Sequence, residues 1–525
     1  MGPASERTHC EPACEPEPCE DGPNQAFREG NPYTFESKYY PVVVRYQNPV
    51  RLLLLAVGML LARLGLVRRE HVVRTTDLSW PRIVTGLARM SKNAVDVAMV
   101  GIAVGEVAIA GVGFAGPFWG IAFSLGGGFA AGTIALVSQG FGADAHDQIG
   151  QAVRSSAVIV LALTVPVAAL FASFPLELVS LIAAETATAQ AGADYLRVVA
   201  FGVPFAGLNL VGSRIYIGAD DAWTPMLVRG GGAIANIAAN AVFIFVLDLG
   251  VAGAALGTVL ANVLVTASFV LALLTGRIPG LGELPVKVDP FGTYLDRETI
   301  TDVFEIGLPV VGRNSVWTVA KFPMFAIVAL FGPSVVAAYV IVRRIMGLMN
   351  TPGWGFALAA SSLVGQELGE GDEADAEAYA NDILVFSLAT YALFAVVVAA
   401  FAQPIVELFV GADADPNTVP TAVGLTYAAC VAVLAQSVKG TAAGPLDASG
   451  DTNVTFYSQV IGMVGFAIPL AYVGAVVPAV GIVGLYLSFL GEALVPAIIN
   501  FWRYRSGKWK AISQEYRPES PVADD

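Results

Sequence analysis

The stretch WPRIVTGLARMSKNAVDVAMVG, Trp80 to Gly101, reads as a membrane helix with Lys92 and Asp96 set inside it. An ionisable group at bilayer depth costs a few kcal/mol on insertion scales, so it faces a polar cavity or pairs with a neighbour. Counted from Pro81, Asp96 lies about 15 residues in, roughly 22 Å along a helix axis. Lys92 precedes it by four residues, one turn away on the same face. The two side chains therefore form either a permanent structural pair or one end of an ion or substrate path.

The rest of the chain sets this helix in a polytopic membrane protein. Of 525 residues, 55% are hydrophobic and 14% charged, and the mean hydropathy is +0.66. Soluble domains carry nearer a quarter charged residues and do not sustain long uncharged runs. Here Ala108 to Ser138 and Leu249 to Gly276 hold no charge. The net charge of -14 sits mostly in tails and loops. It suits a high-salt, haloarchaeal host, and ordinary acidic tails explain it equally. No basic patch interleaved with aromatics points to nucleic acid.

Residues 1–48 read as an acidic, disordered tail without an apolar signal sequence. Its His9, Cys10, Cys14 and Cys19 match no paired zinc spacing, and no metal is expected. Cys430 lies in an apolar run and reads as a core filler. Residues 49–79 read as an interfacial amphipathic helix plus linker, because the apolar run after Arg51 is too short to span before Arg63 intervenes. From Pro81 twelve spans follow, near 81–105, 108–138, 155–176, 190–213, 225–247, 249–276, 304–331, 335–366, 383–407, 418–438, 454–478 and 481–502. Placing the start of the first span in the cytoplasm gathers Arg154, Arg214, Arg229, Arg277, Lys439, Arg503 and Lys510 on that side. Both termini are then cytoplasmic and the protein belongs in the plasma membrane.

The chain also repeats itself. SQGFGADAHDQ aligns with GQELGEGDEAD, matching Gln139 to Gln366 and Gly142 to Gly369 at an offset of 227. Asp221 matches Asp451 at 230, and Gly250 of GVAG matches Gly481 of GIVG at 231. One spacing across three landmarks makes a tandem repeat of six spans, and an even number keeps both halves in the same orientation. This divides the chain into an all-α N-terminal lobe at 80–276, a linker at 277–301, a C-terminal lobe at 302–503 and a cytoplasmic tail at 504–525.

NAVDVAMVG at 93–101, the SQGFGA and VGQELG turns, GADDAWTP with ASGDTN, GLPVV at 307–311 and GVAGAALGT together resemble the multidrug and toxic compound extrusion (MATE) transporters, over residues 80 to about 503. The resemblance implies a V-shaped two-lobe antiporter that exports organic, lipophilic and cationic compounds against H+ or Na+, with no other cofactor, working as a monomer in the bilayer. It places Asp96 at the family's first-helix acid, where the coupling cation binds. Asn236 and Thr258 match family positions, whereas Asn240 stands where members carry Asp and removes one negative charge. Arg344 matches a recurrent basic residue.

Independently, Asn236 and Asn240 lie one turn apart and present two amides to one face. By the same resemblance, spans seven and ten, where some members of the family carry acids, hold Arg313, Lys321 and Gln436 instead, and Glu492, mid-span in twelve, reads as this lobe's only deep carboxylate. Lys321 and Glu492 are expected to pair or to frame a second polar site. Two other functions compete. A lipid-linked sugar flippase would use Lys321, Arg313 and Arg343 for a phosphate headgroup. A membrane-embedded enzyme is disfavoured by the lack of HExxH, DDxxD or Walker A patterns and by three histidines, none within an expected span.

Overall fold

The computed structural model describes residues 48–183, 185–278, 282–409 and 415–518; the cysteine-bearing tail lies outside them. Helix α1 (Pro49–Arg63) leads into α2 (Arg69–Val104), α3 (Glu106–Gly142), α4 (His146–Ser173) and the short α5 (Pro175–Ser180). Then α6 (Thr186–Val199) and α7 (Val203–Gly218) make one path, followed by α8 (Trp223–Ala241) and α9 (Gly250–Thr275). The linker pairs β1 (Arg277–Ile278) with β2 (Gly282–Glu283). The second lobe runs through α10 (Arg297–Val319), α11 (Lys321–Ala329), α12 (Pro333–Met349), α13 (Thr351–Glu370), α14 (Glu373–Ala400), α15 (Ala402–Glu407) and α16 (Thr418–Ala448). It closes with α17 (Thr452–Val460), α18 (Ile468–Val476), α19 (Ile482–Arg505) and α20 (Lys508–Tyr516).

Twelve spanning paths result, six per lobe. Among the described residues nine are long and apolar enough to cross a membrane by length and composition alone. The other three are instructive: α2 is charged, and the α10–α11 and α12–α13 paths are each broken near their middle. In both lobes the fifth path loosens into a π-helical stretch, Val242–Val246 after α8 and Ile461–Ala467 between α17 and α18. Such bulges concentrate at functional places in helices.

Two sequence expectations need correction. The first spanning helix does not start at Pro81 but at Arg69, so residues 69–79 are its opening turns rather than a linker. Pro81 is tolerated inside α2, and Thr85 returns its hydroxyl to the Pro81 carbonyl at 2.7 Å. At 36 residues the helix is about 54 Å long, well beyond the ~30 Å apolar core of a bilayer. Its first turns extend past the apolar stretch and carry Arg69, Glu70, His71, Arg74 and Asp77. Likewise the tenth path continues to Ala448 instead of ending near 438, which brings Asp447 into the bundle.

Helix α1 packs on α2 and α14. Its Arg51 is 1% exposed and donates to Asp77 at 2.8 Å. The Asp77 carboxyl is pushed up to about 6 because burial outweighs the attraction of Arg51.

The polar contacts between the lobes gather at one end, while α3 packs along α10 from Gly132 to Gly120. Among the described residues every hydrogen bond and ion pair between them lies near the start of α2, the ends of α3 and α7, the last turns of α13 and α16, and the opening turns of α14. Arg74 donates to Gln366 at 2.8 Å and to Tyr379 at 2.9 Å, with Glu367 3.4 Å away. Gln139 donates to the Ala448 carbonyl at 2.8 Å, and Ser362 and Gln366 donate to the carbonyls of Ile217 and Gly218. Beside this knot α3 presses on α10 so closely that a Cβ on Gly128 would meet Val311 at 2.3 Å. The largest buried apolar cluster crosses the same interface.

Candidate ion-coupling site

Along α2, Arg82, Thr85, Arg89, Lys92 and Asp96 recur every three or four residues and form one polar stripe. It faces α8, whose Arg229, Asn236 and Asn240 share a face by the same spacing, and the two helices pack together. At one end of this seam Lys92 Nζ donates to Asp96 Oδ2 at 2.5 Å and to Asn236 Oδ1 at 3.2 Å. Asn240 Nδ2 donates to Asp96 Oδ1 at 2.9 Å, so both carboxylate oxygens are engaged. Asn236 in turn reaches Thr258 Oγ1 at 3.4 Å. The site assembled from α2, α8 and α9 thus contains all five N-lobe residues named from sequence.

Burial is uneven. Asn236 and Asn240 are 1% and 0% exposed, whereas the Lys92 and Asp96 side chains are 17% and 18% exposed. The amides are thus buried beneath the ion pair, which is partly exposed. Asp96 stands eight residues before the end of α2, about 12 Å along the axis.

Sequence reading missed three features. Gly257 makes room for the buried amides: a Cβ there would sit 1.9 Å from Asn240 Oδ1. Tyr195 on α6 hydrogen-bonds Thr258 and lies within electrostatic reach of Asp96. Asn262, which donates to the Thr258 carbonyl at 2.8 Å, continues the polar chain to Asn209 and Thr266. Gly257 was legible as the glycine before Thr258 in GAALGT; a single tyrosine in an apolar span gives no such signal.

The C-terminal lobe corrects the expected pairing. Glu492 binds Arg343 Nη2 at 2.7 Å and accepts from Trp317 Nε1 at 3.2 Å, not from Lys321. The Lys321 ammonium stands over the Trp317 ring, 3.7 Å from its centroid. Lys321 falls 229 residues after Lys92, within the repeat offset, but where Lys92 finds a carboxylate one turn ahead Lys321 has Phe325, so it turns back to the aromatic face. Arg344 is exposed; its neighbour Arg343 makes the contact. Arg313 holds Asp447 through both terminal nitrogens at 3.0 Å and Thr455 at 2.8 Å. Asp447, in the last turn of α16, is a further paired carboxylate of this lobe, held there because the tenth span runs on past 438. No group of three metal-ligating side chains occurs among the described residues.

The sequence model of the MatE family matches residues 81–242 and 309–473, one segment in each lobe and together more than half the chain. The chain is 26% identical over 451 residues to the probable multidrug resistance protein NorM of Bradyrhizobium diazoefficiens, covering 83% of this chain and 93% of that one. It is 26% identical to the multidrug resistance protein MdtK of Pectobacterium atrosepticum, covering 82% and 94%. Among solved structures, a MATE protein in a bent conformation superposes with a TM-score of 0.77 at 20% identity, covering 90% of this chain and all of that one. A transporter of the MOP superfamily from Pyrococcus furiosus does so with a TM-score of 0.77 at 21% identity, covering 84% and 96%. The chain belongs to the MATE family and is a multi-pass membrane transporter of the multidrug efflux type, not an enzyme.

Proposed function

We propose that the protein is a monomeric proton-coupled antiporter in the cell membrane, exporting lipophilic organic cations, with Lys92 and Asp96 as the coupling element. The observation that carries this is the place of the Lys92 ammonium. It stands between Asp96 Oδ2 and Asn236 Oδ1, where a free coupling cation would be held. A proton arriving at Asp96 cancels the carboxylate charge and releases Lys92, which keeps Asn236 as a partner. A sodium ion would instead bring a second unit charge to a carboxylate already shared with an ammonium, and like charges a few ångström apart repel by several kcal/mol outside bulk water. Asn240 in place of an acid acts in the same direction, since one carboxylate offers sodium less than two.

With both termini in the cytoplasm, the knot of Arg74, Gln366 and Glu367 lies at the inner face in this reading. Release and re-formation of the Lys92–Asp96 pair then biases rocking about this end. The apolar face of α1 left exposed by Leu53, Leu60 and Leu64 lies on the membrane surface. The test is counterflow of a fluorescent organic cation in liposomes under an imposed pH or sodium gradient. The pH gradient drives it; drive by sodium alone overturns proton coupling. A second reading, flipping of a lipid-linked phosphate, is favoured by Lys321 and Lys439 near the Arg343–Glu492 pair. Scrambling of such a lipid without dye movement would establish it.

A further inference from the structure

The other end of the α2–α8 seam carries a second cluster, independent of the coupling reading. Arg82 and Arg89 on α2, Arg214 on α7 and Arg229 on α8 are all partly buried. Arg82 feels the repulsion of the other three, and Arg229 that of Arg89 and Arg214. Among the described residues none of the four has a hydrogen-bonded carboxylate. The acid nearest in effect, Asp447 beside Arg214, is already held by both terminal nitrogens of Arg313. Asp221, at the start of α8, accepts from Thr224 N at 2.9 Å.

Buried guanidinium groups normally pair, because each uncompensated charge costs several kcal/mol. Here aromatic faces supply only part of the compensation. Arg82 and Arg89 stand 5.8 and 5.4 Å from the Trp354 ring of the opposite lobe, and Arg89 also lies 5.6 Å from Phe123. Arg82 Nε is buried without a partner. Between Arg82 and Arg229 lies a cleft also lined by Thr85, Ser213 and Met226, which encloses about 10 Å³, room for one oxygen-sized group.

We infer that this cleft is an anion site, taking one oxygen of a phosphate or carboxylate between Arg82 and Arg229 while Arg89 and Arg214 neutralise the remaining charge. Planar guanidinium forks suit such oxyanions, and Thr85 and Ser213 add hydroxyl donors. Because Arg82 and Arg89 lean on Trp354 across the lobe interface, an anion bound there strengthens that contact between the lobes. The ligand is either a soluble oxyanion or the headgroup of an acidic lipid.

The test uses the whole protein in neutral phosphatidylcholine nanodiscs, in gluconate buffer of constant ionic strength. Thermal unfolding is followed with inorganic phosphate, with citrate, and after replacing a third of the lipid by phosphatidylglycerol. The wild type gains several degrees with at least one of these. A gain with phosphate or citrate identifies a soluble anion, and a gain with phosphatidylglycerol alone identifies a lipid headgroup. Arg82→Gln and Arg229→Gln lose most of that gain while unfolding no earlier than wild type without anion, because removing one repelling charge relieves the rest. If either variant fails to fold, Arg214→Gln serves in its place. No response of the wild type to any probe, or an undiminished response in folded variants, overturns the proposal.

Discussion

Gly142 and Gly369 lie 227 residues apart and stand back to back across the lobe interface. A Cβ on Gly142 would meet the carbonyl oxygen of Gln366 at 1.9 Å, and one on Gly369 would meet that of Gln139 at 2.0 Å. Each repeat thus presses its glycine onto the backbone of the other's glutamine turn. Alanine at either position overpacks a backbone contact that has no flexible side chain to yield, costing about 1–3 kcal/mol. Gly142→Ala and Gly369→Ala are expected to lower thermal stability by similar amounts and to widen spin-label distances between the lobes at this end. Unequal effects would show that the contact is not a shared two-fold gate.

Gly257→Ala tests the buried amides of the coupling site without changing a charge. The new methyl occupies the place of Asn240 Oδ1, so Asn240 must leave Asp96. Transport is expected to fall at least tenfold while the protein still folds and inserts, read as dye export per molecule of purified protein. Export within twofold of wild type would show that the Asn240–Asp96 bond is dispensable.

Arg343 and Glu492 form a pair whose acid is 7% exposed. Arg343→Ala leaves that charge alone and should cost about 3–5 kcal/mol, with Arg343→Ala/Glu492→Ala recovering much of the loss. Lys321→Ala removes a ring contact at an exposed site and should cost about 0.5–1 kcal/mol. Unfolding curves of the four proteins decide between this pairing and a Lys321–Glu492 bond.

Glu367, at the end of α13 beside Arg74, has its carboxyl pushed up to about 7, with burial outweighing the attraction of Arg74. The folded protein therefore holds this proton more tightly than the unfolded chain does. The resulting stability is present below the unfolded pKa near 4.5 and is lost as pH rises through about 7. Glu367→Gln should match wild type near pH 5 and unfold later than wild type at pH 8. Equal melting at pH 8 would refute the account.

How much of this was legible depended on whether a residue's meaning was local. The repeat and the six-span lobes follow from hydrophobic runs and recurring turns, and the Lys92–Asp96 contact follows from helical spacing. Asn236, Asn240 and Thr258 joined them because GGGAIANIAAN and GAALGT place amides and a hydroxyl in otherwise apolar helices. The choice of Arg343 over Lys321 for Glu492 depends on how α12 and α19 pack, which periodicity does not encode. Asp447 escaped notice because Lys439 resembled a span end, although the helix carries it inside in the field of Glu492. Arg214 and Arg229 count in the sequence only as cytoplasmic-side charge, and with Arg82 and Arg89 they are dispersed over three helices, so no local pattern shows the cluster.

The most direct measurement of the central claim is dye export from liposomes under a pH gradient by wild type, Asp96→Asn and Lys92→Ala, each confirmed folded by its melting curve. Asp96→Asn is expected to keep binding the dye and to lose gradient-driven export. Lys92→Ala, which uncovers the carboxylate, should still export but with an altered pH dependence and a new sensitivity to sodium. Export by Asp96→Asn at the wild-type rate would contradict the assignment of Asp96 as the coupling group.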